Sequence, residues 1–102
     1  MSEVWEHSDR ATCVHPGWSS LRGWGAIAAS WVALFQGPQH LQFLLTDLRV
    51  EVEGDVAWVT ADEDLLVDRP GATVAAVNVF VRDGEDPARW RLVAHHGSPV
   101  AR

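Results

Sequence analysis

Several residue types are absent or rare in this chain of 102 residues, and each absence excludes a class of protein. The chain has no lysine and no tyrosine, and Cys13 is its only cysteine. A lone cysteine rules out an internal disulfide and, with scattered histidines, leaves no zinc-ligand spacing. No apolar run approaches the roughly 20 residues of a membrane span, and the polar start MSEVWEHSDR is not a signal peptide. We therefore expect a cytoplasmic protein with neither a metal nor a cofactor.

Positive charge is also scarce. Eight arginines face 14 acidic residues, which gives a formal net charge of -6. This balance argues against nucleic acid or an anionic membrane as a partner. Tryptophan is plentiful by contrast, with six residues, and several large rings often line a pocket or an interface. The length suits a single domain over residues 1–102 with one core.

The first third of the chain predicts one strand and one helix. Residues 2–7 have the character of a helix end, and residues 10–15 that of a strand that Pro16 and Gly17 terminate. Over residues 22–35 the apolar period changes to that of a helix, which Gly37 and Pro38 end. Its apolar stripe comprises Trp24, Ile27, Trp31, Leu34 and Phe35.

The remainder predicts a sheet. Four strands over residues 39–53, 56–67, 72–82 and 89–96 alternate apolar and polar side chains, and turns at 54–55, 68–71 and 83–87 join them. One helix followed by hairpin-linked strands gives an α+β domain with an antiparallel sheet. Apolar residues on both faces exceed what one helix covers, so we expect a homodimer through the sheet.

An ordered set of segments resembles the SnoaL-like domains of the nuclear-transport-factor-2-like superfamily, which includes relatives of ketosteroid isomerase and of the calcium/calmodulin-dependent kinase association domain. The segments are VHPGW at 14–18, the helix, VAWVTADEDL at 56–65, NVF at 78–80 and WRLVAHHGSP at 90–99. The resemblance implies a cone: a curved antiparallel sheet (a cystatin-like roll) wrapped on helices around an apolar cavity. The resemblance implies that the family's long N-terminal helix is largely missing, since only residues 2–7 correspond to it, and that the chain is either a short variant or has its true start upstream.

The resemblance also implies site residues. The family's HHxSP ending places His96 in the cavity and His95 outside, although strand alternation alone fits either choice. Glu63 matches a recurring acidic position, Asn78 a cavity-lining one and His15 the end of the first strand. We expect these four to converge at the open end of the cone, with Trp18 and Trp31 lining the pocket. Each residue also has a purely structural interpretation. His15 can be a turn residue and His96 a core histidine. Glu63 can belong to a solvated acidic run, and Asn78 can be a structural amide.

Two functions follow. The first is a binding or dimerisation module whose cavity takes a small hydrophobic molecule. The alternative is a cofactor-independent acid/base enzyme of the isomerase, polyketide cyclase or hydrolase type, acting on a small hydrophobic carbonyl compound. In it, His96 is the base, Glu63 its partner and Asn78 orients the substrate. The tyrosine-dependent ketosteroid isomerase mechanism does not transfer, because the chain has no tyrosine.

Overall fold

The computed structural model describes residues 3–35, 43–65 and 73–100. They form one helix and six strands: β1 Thr12–Val14, β2 Leu21–Arg22, α1 Trp24–Phe35, β3 Phe43–Glu53, β4 Val56–Leu65, β5 Thr73–Arg82 and β6 Trp90–Pro99. The predicted helix and four long strands are all present, but the helix begins at Trp24 and not at residue 22, where the short strand β2 ends. The predicted helix end at Gly37-Pro38 and the turn at 68–71 fall outside the described residues.

The strands form one curved sheet in the order β2-β1-β6-β5-β4-β3. The hairpins β3–β4, β4–β5 and β5–β6 are antiparallel, as expected, but β1 joins β6 in parallel. That parallel contact brings the first strand beside the last, and it sets Cys13 opposite His95. The fold is thus an α+β cone with a helix on one side of the sheet.

The two faces of the sheet differ in what covers them. The inner face, on which α1 packs, carries Asn78 and His95 in one cross-strand pair. The outer face carries Trp58, Val77 and His96, and all three side chains are exposed. Apolar side chains on an uncovered face are the feature that the sequence associates with a second subunit.

Helix α1 begins through backbone contacts rather than a polar cap. Gly23 has a φ of 87°, a conformation that favours glycine. Its N–H donates to the carbonyl of Ala11 at 2.8 Å, and the N–H of Trp24 donates to the carbonyl of Ser8 at 3.1 Å. These bonds satisfy amides that a helix start leaves without partners, and they tie the helix to the N-terminal end of β1.

The prediction of a helix end at residues 2–7 is wrong where the structure describes this segment. Trp5 forms a parallel bridge with Leu92, and the backbone on either side of it exchanges hydrogen bonds of 2.7 and 2.9 Å with Leu92. Its indole is 1% exposed and joins a core of Ala11, Cys13, Ile27 and Leu92. Pairing with the last strand and burying a large ring outweigh the local helical pattern.

Candidate functional site

His15 is placed by a tight turn at the end of β1. Trp18 donates its N–H to the carbonyl of His15 at 2.9 Å, and Gly17 between them has a φ of 82°. Pro16 and Gly17 thus occupy the two central positions of a type II turn. The turn folds the Trp18 ring back onto His15, with ring centroids 4.9 Å apart and an interplanar angle of 74°. His15 itself is 2% exposed.

Ser30 determines which tautomer His15 adopts. The Ser30 hydroxyl donates to the carbonyl of Ile27 at 2.7 Å, and its oxygen lies 2.8 Å from Nε2 of His15. A hydroxyl has one proton, so Ser30 accepts from an Nε2–H of His15. The Nδ1 of His15 therefore keeps its lone pair. Burial lowers the pKa of His15, so the neutral ring is favoured.

His95 lies next to His15, and burial keeps its ring neutral as well. Its Nδ1 is 2.5 Å from Oδ1 of Asn78, which only accepts, so Nδ1 carries the proton and Nε2 keeps its lone pair. Burial lowers the pKa of His95 to about 4, and repulsion by His15 and by His96 adds to the shift. The ring centroids of His15 and His95 are 6.3 Å apart. Two neutral imidazoles thus each present a hydrogen-bond acceptor.

Trp31 completes the group. It follows Ser30 on α1, and its ring lies 4.6 Å from that of His15 and 5.8 Å from that of His95. We call His15, Ser30, Trp31, Asn78 and His95 the histidine cluster. Helix α1 supplies two of its members because consecutive residues there both reach the inner face of β1 and β6.

The predicted orientation of the histidine pair is wrong: His95 points inward and His96 is exposed on the outer face, opposite Val77. A β-bulge is the cause. Phe80 pairs with Leu92, but the adjacent Val79 pairs with Ala94, which leaves Val93 as an extra residue in β6. One extra residue reverses the alternation beyond it. Counted from the buried Leu92, an unbulged strand would have turned His96 inward.

Glu63 does not join the histidine cluster. It is on β4, where Val59 is the residue opposite Asn78. Glu63 lies four residues further along, about 13 Å at the rise of an extended strand. The carboxyl group of Glu63 is partly buried at the far end of the sheet, and this burial raises its pKa. The expected convergence of four residues is therefore limited to His15 and Asn78, with His95 in place of His96.

Cys13 lies behind the cluster as a buried thiol. Its sulfur is 3.7 Å from Nε2 and 4.0 Å from Nδ1 of His15. Burial raises the pKa of the thiol to about 11, so it stays protonated at neutral pH. A protonated, fully buried thiol is a poor nucleophile.

The surface also has a charged pocket of about 430 Å³ beside the N-terminal segment. Its walls include Glu3, Glu6, Asp83 and Arg91. Arg91 pairs with Asp83 at 3.1 Å and also donates to the carbonyl of Glu3, so the pocket's charges are largely internally paired. It is polar and contains none of the predicted site residues. Over the described ranges, no three His, Cys, Asp or Glu side chains are grouped to hold a metal ion.

Sequence reasoning missed Ser30 and Trp5. Ser30 is a polar residue between alanine and tryptophan, and its place three residues after Ile27 puts it beside the apolar stripe. A serine there bonds to a helix carbonyl and offers its oxygen inward. Trp5 gave no signal, because its pairing with Leu92 joins opposite ends of the chain.

No helix within the described ranges is both apolar and long enough to cross a membrane.

Comparison with known proteins agrees with this architecture. A candidate dehydratase of the NTF2-like family from Streptomyces avermitilis is 41% identical, with a TM-score of 0.80 over 90% of this chain and 67% of its own. A candidate calcium/calmodulin-dependent protein kinase type II association domain from Thiobacillus denitrificans is 30% identical. Its TM-score is 0.86 over 99% of this chain and 80% of its own.

Among curated proteins, the F-box protein SKIP8 of Arabidopsis thaliana is 32% identical over 98 residues. The match includes 96% of this chain but only 40% of the F-box protein's length. The family model of the SnoaL-like domain matches residues 1–102. The chain belongs to the SnoaL-like domain family and has its NTF2-like, cystatin-like fold.

Proposed function

We propose that residues 1–102 form a single domain that binds a small hydrophobic molecule against the histidine cluster. The observation that carries this proposal is the pair of half-buried and buried imidazoles, each of which holds its proton in an internal hydrogen bond. A purely structural histidine pair would use both nitrogens of each ring within the protein. Here Nε2 of His95 is an acceptor with no hydrogen-bond partner among the described residues, whereas Nδ1 of His15 has only a weak 4.0 Å contact with the Cys13 thiol. The rings of Trp18 and Trp31 supply apolar walls.

The acceptors define the ligand more closely. A neutral imidazole lone pair bonds to a hydroxyl or an N–H, and burial disfavours a charged ligand. A flat, uncharged molecule with a hydroxyl group satisfies both requirements. A carbonyl compound without a hydroxyl satisfies them less well, because its oxygen needs a donor, and the rings direct their protons to Ser30 and Asn78.

The test uses a matched pair of probes and a matched pair of variants. 2-Naphthol has the donor, and 2-methoxynaphthalene has nearly the same shape without it. We expect 2-naphthol to shift the ring protons of His15 and His95 in NMR spectra, and 2-methoxynaphthalene to bind at least about tenfold more weakly, since one hydrogen bond is lost. His95→Ala should abolish the response, and His96→Ala, on the outer face, should keep it. Equal binding of both probes, or an unchanged response in His95→Ala, rejects the proposal.

A second candidate function is acid/base catalysis, favoured by the similarity to the candidate dehydratase from Streptomyces avermitilis. Elimination of water needs a base for the α-proton and an acid for the leaving hydroxyl. His95 with a pKa of about 4 is unprotonated but a weak base. Within the histidine cluster, neither lone pair bears a proton to give, so the acid is the missing part. Binding is therefore the better-supported function.

Catalysis has its own test. In heavy water, a base that removes an α-proton from a small β-hydroxy ketone exchanges it for deuterium. Exchange that exceeds the buffer rate and disappears in His95→Ala, but not in His96→Ala, would establish catalysis. We expect no exchange above buffer.

We further propose that the domain forms a homodimer through its outer face. Val56, Trp58 and Val77 are 36–42% exposed there, and the similar protein from Thiobacillus denitrificans is a candidate association domain. Val77→Arg should convert the dimer to monomer in sedimentation experiments. Val4→Arg is the control, because Val4 is 44% exposed but lies outside the sheet. Unchanged mass in Val77→Arg would exclude this interface.

A further inference from the structure

Strand β3 is an edge of the sheet with an exposed apolar side. In the described part of the chain, it pairs with β4 alone. It is 11 residues long and contains no proline. Leu48, Val50 and Val52 are 57–59% exposed on the side that continues the inner face. A long edge of this kind offers unpaired backbone N–H and C=O groups to another strand.

A bulge limits which part of the edge is available. Asp47 has a φ of 52°, and the pairing with β4 shifts between Thr46 and Arg49. Bulges bend and twist a strand, so pairing across this point is disfavoured. The regular part of the free edge therefore runs from Leu48 to Glu53.

The order of side chains in this part is self-complementary. From Leu48 to Val52, apolar residues alternate with Arg49 and Glu51, which have opposite charges. In an antiparallel pair centred on Val50, Leu48 lies opposite Val52, Arg49 opposite Glu51, and Val50 opposite itself. We propose that β3 pairs in this register with β3 of a second copy, which joins two sheets edge to edge.

The neighbouring registers are worse. A pair centred on Glu51 sets two carboxylates against each other, and one centred on Arg49 sets two guanidinium groups together. A slip of one residue places apolar side chains opposite charged ones. Arg49 has a 3.8 Å contact with Asp47, and both side chains are at least 70% exposed, so this contact leaves the guanidinium accessible to a partner. The pairing of opposite charges and the burial of apolar side chains therefore both favour the register centred on Val50.

Cysteine crosslinking tests the register directly. Val50 and Val52 are 57% and 59% exposed on the same side of β3, so they form a matched pair. In the proposed register, two Val50→Cys side chains are about 5 Å apart, within reach of a disulfide, whereas two Val52→Cys side chains are roughly 13 Å apart. Mild oxidation should crosslink Val50→Cys and leave Val52→Cys uncrosslinked. The native Cys13 is fully buried and does not interfere.

The same variants separate this contact from the proposed outer-face dimer. In a Val77→Arg background, Val50→Cys should still crosslink, because the edge does not include Val77. Equal crosslinking at both positions, no crosslinking at Val50→Cys, or its loss in Val77→Arg each overturns the edge pairing. None of these results decides whether the outer-face dimer or the ligand site exists.

Charge reversal gives a second, independent test by sedimentation equilibrium. Arg49→Glu and Glu51→Arg should each weaken edge association by about tenfold or more, since both symmetry-related pairs become repulsive. The double variant should restore it. Glu53→Arg has the same change of charge as Glu51→Arg on the same face, but it lies opposite Asp47 of the second copy at the bulge, so it should not weaken association. Failure of the double variant to recover association overturns the register, as does an effect of Glu53→Arg as large as that of Glu51→Arg.

Discussion

The low pKa of His95 predicts that acid destabilises this domain through one identifiable side chain. The pKa is lowered from 6.5 to about 4, first by burial and then by His15 and His96. As the pH falls from 7, the unfolded chain takes up a proton near the ordinary value. The folded ring does so only near the lower one. The unfolded state thus binds more protons in this window, and the free energy of unfolding falls as the pH falls.

The magnitude follows from the two pKa values. The full shift from 6.5 to about 4 corresponds to about 3 kcal/mol at about 1.4 kcal/mol per unit. At about pH 4.5 most of this is lost. Because His95 keeps some contact with solvent, we discount it to roughly 2 kcal/mol. The expected loss is a sizeable part of the stability of a domain of this size.

The assay is urea unfolding followed by tryptophan fluorescence between about pH 7 and pH 4.5. In His95→Gln, the amide still donates to Asn78 but does not titrate, so its stability should fall by roughly 2 kcal/mol less than that of the wild type. His96→Gln removes only the smallest cause of the shift and should follow the wild type. Parallel pH profiles for His95→Gln and the wild type would refute the reasoning.

Other substitutions test packing and hydrogen bonding, each by urea unfolding at neutral pH. Ser30→Ala leaves the buried Nε2–H of His15 without its acceptor, so we expect a loss of about 1–3 kcal/mol; a smaller loss would mean that the ring turns to another partner. Gly97→Ala places a methyl group 3.1–3.3 Å from side chains of neighbouring residues and should cost about 1–3 kcal/mol, whereas Gly25→Ala, with open space around it, should be neutral or stabilising. Trp5→Ala should cost about 3–5 kcal/mol, since the ring is 1% exposed; a small loss would place it outside the core.

Local patterns predicted the regular elements because the forces that set them are local. The helical period of Ile27 and Trp31 and the hairpin turn at Gly54 depend only on residues nearby in sequence. Trp5 shows where this reasoning ends. Its position depends on a bridge to Leu92, almost the whole chain away, which no short window of sequence contains.

The candidate site shows the same limit. Which residue types it contains was partly predictable from the sequence, but which of the two adjacent histidines faces inward was not. A histidine pair on a strand sends one ring to each face, and the structure has that arrangement. Which ring faces inward depends on whether the strand has an extra residue before the pair. Val93 is that residue, and nothing in WRLVAHHGSP marks it, since apolar residues on both sides of it tolerate either count. Deleting Val93 removes the extra residue and leaves Leu92 opposite Phe80 and His95 opposite Asn78 in a regular strand, so His95 should keep its inward position and its lowered pKa. NMR titration of the His95 ring would measure this, and a pKa near the ordinary value in a folded deletion variant would show that Val93 is not the extra residue.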